Sequence, residues 1–170
     1  DGRRQLLDYQ KTVDDKIVYI LRRMALYIEL EDKTDYTGSC FDELDAMLVN
    51  LKKEALRYMN NHLITEDDYY YEYMQMRARQ CVILKRIYAD IIRLTTTPEQ
   101  GKALADFIRQ TADEFAEQNN VETLLSELER LHHYYEQQQL PVTRQEFENR
   151  SMLYHILEDM KAFLDIKKDF

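Results

Sequence analysis

Residues 3–31 read RRQLLDYQKTVDDKIVYILRRMALYIELE, and this stretch decides the fold class of the chain. Apolar side chains recur in it at alternating spacings of three and four residues, which is the period of one face of an α-helix. These side chains are Leu6, Tyr9, Val13, Ile17, Ile20, Met24, Tyr27 and Ile28. The stretch contains no proline or glycine, so the pattern predicts one unusually long helix packed in a bundle.

The same period continues through the rest of the chain. The polar residues 32–39 predict a first loop, and further helices are predicted at about 41–64, 65–94, 98–118, 120–139 and 143–167. Helix-start signals precede them at Ser39, Thr65, Thr97 with Pro98, Asn119 or Asn120, and Thr143. Short loops between amphipathic helices predict an all-α, up-and-down bundle of five to six helices, two of them long, in a single domain over residues 1–170.

The last predicted helix has the most complete start signal. Thr143 and Glu146 have the spacing of a capping box, in which each side chain accepts a hydrogen bond from a free backbone amide of the first turn. Val142 and Phe147 flank the box and have the spacing of a hydrophobic staple, which predicts that Phe147 is buried. The entry angle of this helix is therefore expected to be fixed locally.

Composition excludes several classes of function. The 170 residues hold three glycines and two prolines, as long helices do, and the net charge of −9 argues against nucleic-acid binding. No window approaches the roughly 20 apolar residues of a membrane-spanning helix, so the chain as given is expected to be soluble. Cys40 and Cys81 show no redox or zinc spacing and fit a reducing, cytoplasmic setting. The abrupt start at Asp1 predicts a fragment of something longer.

No catalytic or metal-binding constellation is readable in the sequence. A di-iron bundle needs two Glu-x-x-His pairs, and the sequence offers one, Glu129 with His132. The serines lie in capping or helical contexts, and no glycine-rich phosphate loop occurs. We therefore predict no enzyme activity, no cofactor and no metal.

Clustered tyrosines are the most unusual local feature. Tyr69, Tyr70, Tyr71 and Tyr73 crowd the start of the third helix beside Arg77 and Arg79, and Tyr134 with Tyr135 follow His132 and His133. A tyrosine ring beside a guanidinium can hold a planar carboxylate, because the ring stacks while the cation pairs with the acid. The competing interpretation is that these tyrosines flank the bundle core with their hydroxyls in water.

A family resemblance enters through the segment Leu140-Pro141-Val142-Thr143-Arg144-Gln145-Glu146-Phe147-Glu148-Asn149-Arg150, followed by apolar residues at helical spacing up to Leu164. This segment resembles the closing signature of the carboxy-terminal domain of the "putative aromatic acid exporter" family of Gram-positive bacteria. Tyr73-Met74-Gln75-Met76-Arg77 and Asn119-Asn120 are similar to that family too. The resemblance implies a cytoplasmic domain that follows an amino-terminal membrane region of several helices, which would be its partner.

Two hypotheses of function follow from the resemblance and the tyrosine cluster. The first is an accessory or ligand-sensing domain of the exporter, at the cytoplasmic face of the membrane, that binds an aromatic carboxylate. Its candidate binding residues are Tyr69, Tyr73, Arg77, His132, Tyr135, Arg144 and Arg150. The second is an interaction module without a small-molecule ligand, acting as a homo-oligomer or docking another protein through an exposed helix face. Arg144, Glu148 and Arg150 fit either a binding groove or ion pairs across the bundle.

Overall fold

The computed structural model describes residues 2–61, 68–96, 99–115 and 121–170, and these form six α-helices. The helices are α1 (Gly2–Glu29), α2 (Ser39–Asn61), α3 (Tyr69–Ile91), α4 (Glu99–Asp113), α5 (Glu122–Glu136) and α6 (Arg144–Asp169). No strand occurs in the described ranges. The predicted all-α fold is therefore confirmed.

Each helix buries the apolar stripe that predicts it. In α1 the buried set includes Val13, Ile17, Ile20 and Met24, which have almost no accessible surface. Every fully buried leucine or isoleucine contributes roughly 1.5–3 kcal/mol relative to an exposed one. The long helices α1, α3 and α6 supply most of the core.

The helices alternate in direction, and α3 and α4 each contact both α1 and α6. Helix α1 packs against α2, α3 and α4, and helix α6 packs against α3, α4 and α5. Arg22 pairs with Asp113 while Glu29 pairs with Arg109, so α1 and α4 run antiparallel. The starts of α1, α3 and α5 therefore lie at one end of the bundle, and the start of α6 lies at the opposite end.

The first loop, residues 30–38, is less exposed to solvent than its polar composition predicts. The ring of Tyr36 is buried and stacks on the ring of Tyr27 with 4.2 Å between centroids. The Lys33 ammonium donates to the backbone oxygen of Tyr27 at 2.8 Å and so satisfies a free carbonyl at the end of α1. The loop is thus fixed to the bundle by one aromatic ring and one lysine.

The helix starts differ in part from the predicted ones. Helix α2 begins at Ser39, so Ser39 lies inside the helix, and α3 follows Asp68, whose side chain makes no capping hydrogen bond. Helix α5 follows Val121, which has a left-handed φ of 59°. The caps predicted at Thr65, at Thr97 with Pro98, and at Asn119 or Asn120 lie outside the described residues.

The capping box of α6 is present, with a shifted partner. The Thr143 hydroxyl accepts from the Glu146 backbone amide at 3.1 Å, as predicted. The Glu146 carboxylate accepts from the amide of Val142 at 2.9 Å, one residue before the predicted one. The predicted burial of Phe147 is wrong, because Val142 and Phe147 are 90% and 60% exposed and hardly shield each other.

Replacing Thr143 by alanine is expected to lower the free energy of unfolding by about 1 kcal/mol, because the Glu146 amide loses its acceptor. Urea denaturation followed by circular dichroism measures this change. Thr12→Ala is the matched control, since the Thr12 hydroxyl bonds only to the Asp8 carbonyl within α1. A Thr143→Ala cost no larger than that of Thr12→Ala would contradict the capping role.

Candidate functional site

The seven predicted binding residues lie in separate places. Tyr69, Tyr73 and Arg77 lie on the first turns of α3, where α6 ends. Arg150 lies 13 residues before Phe163, whose carbonyl is bonded to the α3 residue Gln80, so it is about 20 Å away along α6. The structure therefore does not join the seven residues into one site.

Tyr73 and Arg77, on the first turns of α3, are part of a buried polar network. The Arg77 side chain is 1% exposed and donates through Nε to Asp14 of α1 at 2.9 Å and through Nη2 to the Tyr73 hydroxyl at 2.8 Å. Its Nη1 donates to Gln80 at 2.7 Å, and the Gln80 amide donates to the Phe163 carbonyl of α6 at 2.9 Å. The network thus ties α1, α3 and α6 together.

The charge of Arg77 is already matched within this network. The Asp14 carboxylate accepts from both Arg77 and the Tyr73 hydroxyl, and the guanidinium carbon lies 4.3 Å from the centroid of the Phe115 ring. Burial raises the pKa of Tyr73 above its usual range, so the hydroxyl stays protonated. The adjoining cavity, lined by Arg77 and Phe115, holds about 10 Å³, which is room for a water molecule and not for an aromatic acid.

His132 and Tyr135 form a second group, on α5 and close to α4 and α6. The Tyr135 hydroxyl donates to the Gln100 carbonyl at 2.9 Å, and burial raises the pKa of Tyr135. His132 pairs with Glu136 at 2.8 Å and meets the ring of Tyr154 edge-on, at 6.2 Å between centroids. Both side chains therefore already have partners within the chain: the Tyr135 hydroxyl bonds to a backbone carbonyl, and His132 pairs with a neighbouring carboxylate.

Arg150 lines a groove at the end of the bundle where α6 begins. The groove has a volume of about 540 Å³ and is mostly polar, with Thr143, Gln145 and Asn149 on one wall. Among the described residues Arg150 makes no ion pair or hydrogen bond. Arg144, by contrast, is fully in solvent at 3.9 Å from Glu148 and lines none of these cavities.

A larger groove runs along the outer face of α3, between α2 and the end of α6, and we call it the outer groove. Its volume is about 900 Å³, within the range of small-molecule sites. Its apolar lining comes from all three helices and includes Leu48, Val49, Met74, Met76, Ala78, Val82, Ile166 and Phe170. Val49 and Val82 are more than half exposed, so the groove presents apolar surface to solvent.

Two cations border the apolar lining of the outer groove. Lys52 of α2 and Arg79 of α3 make no ion pair within the described ranges, whereas Lys85 is held by Asp45 at 2.8 Å. Burial raises the pKa of Cys81 in the groove wall to about 11, so its thiol is protonated at neutral pH and is a poor nucleophile. The groove thus combines apolar surface with these two cations and with the carboxylates of Glu72 and Asp169, and it offers no activated nucleophile.

The tyrosine cluster indicates the correct helix, α3, but Tyr73 and Arg77 lie on its buried face and not on the face that lines the outer groove. Arg77 and Arg79 are two residues apart, which is about 200° around a helix, so one points into the core and the other into the groove. The only usable signal was that Arg79 lies off the apolar stripe of α3.

In the described ranges, no three His, Cys, Asp or Glu side chains lie close enough together to hold a metal ion. None of the described helices combines the length and apolar content that a bilayer crossing requires. A third groove of about 480 Å³ is lined by His132 of α5 together with Glu158 and Lys161 of α6. The described residues thus form an all-α bundle domain with several ligand-sized grooves on its surface.

The chain belongs to a family whose model is described as "Putative aromatic acid exporter C-terminal domain" and matches residues 3–168. It is 30% identical over 167 residues to the uncharacterized protein YqjA of Bacillus subtilis, covering 98% of this chain and 52% of that protein. The chain therefore spans about half the length of this curated relative.

A solved structure is similar over nearly the whole chain. It is the crystal structure of a putative membrane protein from Clostridium difficile, with a TM-score of 0.84 and 28% sequence identity, covering 96% of this chain and 97% of that one. The resemblance read from residues 140–150 is confirmed by the family match.

Proposed function

We propose that this chain is a cytoplasmic accessory domain of an aromatic acid exporter, and that it senses the acid by binding it in the outer groove. Family membership supports the association with an exporter. The observation that carries the sensing role is the pair of cations without ion-pair partners, Lys52 and Arg79, beside an apolar lining within the described ranges. In this proposal the membrane-embedded part of the same protein receives the signal.

The chemistry of the groove suits an aromatic monocarboxylate. The ring would lie on the apolar lining formed by side chains such as Met74 and Val82, while Arg79 and Lys52 would both pair with the carboxylate. Burying the ring removes apolar surface from water on both partners. A net charge of −9 repels anions in general, so binding depends on these local cations.

Titration of the domain with benzoate and hydroxybenzoates by calorimetry tests this function. We expect saturable heat at millimolar ligand, and a loss of affinity of about tenfold for Arg79→Gln and for Lys52→Gln, because each removes a charge-assisted contact. Affinity should also fall as salt rises, since both cations are exposed.

Two further variants locate the binding. Arg144→Gln is the matched control, because it removes an equally exposed arginine from a site outside both grooves. Arg150→Gln tests the polar groove at the start of α6, which is lined by Arg150, one of the residues predicted from the sequence. Loss of heat in Arg150→Gln alone would move the site to that groove, and no heat for the unchanged chain at millimolar ligand would end the sensing proposal.

A further inference from the structure

The segment that leads into α6 contains the two most exposed large apolar side chains of the described residues, Leu140 and Val142. Leu140 is 86% exposed, Val142 is 90% exposed and Phe147 is 60% exposed. Arg144 lies between Val142 and Phe147 in the sequence, Glu148 follows Phe147, and both charged side chains are exposed. We call these five residues the lead segment.

The lead segment is held in a fixed conformation. The capping box joins Val142, Thr143 and Glu146, as described above. One turn further on, the Asn149 side chain accepts from the Thr95 amide at 2.9 Å and donates to the Thr95 hydroxyl at 3.0 Å, which anchors the start of α6 to the end of α3. A fixed apolar surface loses little conformational entropy when a partner covers it.

Local charge favours a second copy as that partner. The chain carries a net charge of −9, so most faces of two copies repel each other. Residues 140–150 contain two arginines, Arg144 and Arg150, and two glutamates, Glu146 and Glu148, so the local net charge is 2 − 2 = 0. The exposed apolar side chains Leu140, Val142 and Phe147 thus lie in a locally neutral stretch of the sequence.

The lead segment lies at the end of the bundle opposite to Gly2. Helix α6 has 26 residues and is therefore about 39 Å long, so the two ends are separated by about that distance.

We propose that the lead segment is a self-association surface, on which a second copy of this chain docks around a two-fold axis. Leu140, Val142 and Phe147 of the two copies bury each other, and Arg144 of each copy pairs with Glu148 of the other. Such an isologous contact uses one patch twice, so a surface that carries both charges complements itself. The contact is independent of any ligand in the outer groove.

Sedimentation equilibrium of the chain tests the proposal. We expect a reversible monomer–dimer equilibrium across about 1–500 μM protein, the range of a small interface. Val142→Glu and Phe147→Glu should each weaken the dimer at least about tenfold, because a buried carboxylate replaces an apolar contact. Leu7→Glu is the control, since Leu7 is 46% exposed at the opposite end of the bundle and should leave the equilibrium unchanged.

A charge exchange tests the pairing directly. Arg144→Glu and Glu148→Arg should each weaken the dimer about three- to tenfold, because like charges then meet, and the double variant should regain wild-type affinity to within about twofold. These side chains are exposed, so none of the three variants should change the thermal midpoint of the monomer. A chain that stays monomeric at every concentration, or a dimer that Val142→Glu and Phe147→Glu leave intact, would overturn the proposal.

Discussion

Replacing Asp14 by alanine is expected to lower the free energy of unfolding by about 3–5 kcal/mol, the effect of leaving a buried arginine without its counter-charge. Arg77 is 1% exposed, and Asp14, 18% exposed, is the carboxylate that neutralises it. Tyr73 and Gln80 would still accept from the guanidinium, but neither carries a charge. Urea denaturation followed by circular dichroism gives this free energy.

The neighbouring residue Asp15 provides the control for this measurement. Asp15 pairs with Lys11 at 2.8 Å, but both side chains are largely exposed, so Asp15→Ala should cost no more than about 0.5 kcal/mol. The double variant Asp14→Leu with Arg77→Met should recover most of the loss, because apolar residues of similar volume can replace a buried ion pair. Equal costs for Asp14→Ala and Asp15→Ala would mean that Arg77 is not buried as described.

The helices are predictable from sequence because their signal is local. Apolar spacing in α1 identifies Val13, Ile17 and Ile20 as core residues, and the structure buries all three. The Thr143 cap is equally local, since donor and acceptor lie three residues apart. For the apolar stripe of α1 and for the Thr143 cap, the sequence pattern and the structure agree.

The candidate site is less predictable because its deciding contacts are distant in sequence. Asp14 and Arg77 are 63 residues apart, and no spacing rule indicates that this carboxylate among many neutralises that guanidinium. The sequence therefore left two interpretations of the tyrosine cluster open, a binding surface or tyrosines flanking the core with their hydroxyls in water, and neither includes Asp14, which holds both Arg77 and the Tyr73 hydroxyl. Recognising Arg79 as the groove cation requires knowing that α2 and α6 leave the outer face of α3 uncovered.

The lead segment shows a second limit of sequence reasoning. The spacing of Val142 and Phe147 is that of a hydrophobic staple, and the capping box beside it is present. The staple fails because both side chains point to solvent, a choice of orientation that the spacing does not encode. A motif can therefore fix the backbone of a helix start while its apolar residues remain available to a partner.

A pair of phenylalanine variants on α6 measures this difference in burial. Phe163→Ala should lower the free energy of unfolding by about 3–5 kcal/mol, because Phe163 is 1% exposed and its removal leaves a cavity beside Phe115. Phe147→Ala, measured at a protein concentration where the chain is monomeric, should cost less than about 0.5 kcal/mol, as surface substitutions do.

The two variants remove the same side chain from the same helix, so propensity and side-chain volume cancel in the comparison. The difference of roughly 3 kcal/mol then reports burial alone, and it separates the two interpretations of the residues that lead into α6. A staple would make Phe147→Ala costly even in the monomer, since Val142 would lose its contact. A docking surface instead makes Phe147→Ala costly only at concentrations where two copies associate, so the dependence of its cost on protein concentration distinguishes a packed residue from an interface residue.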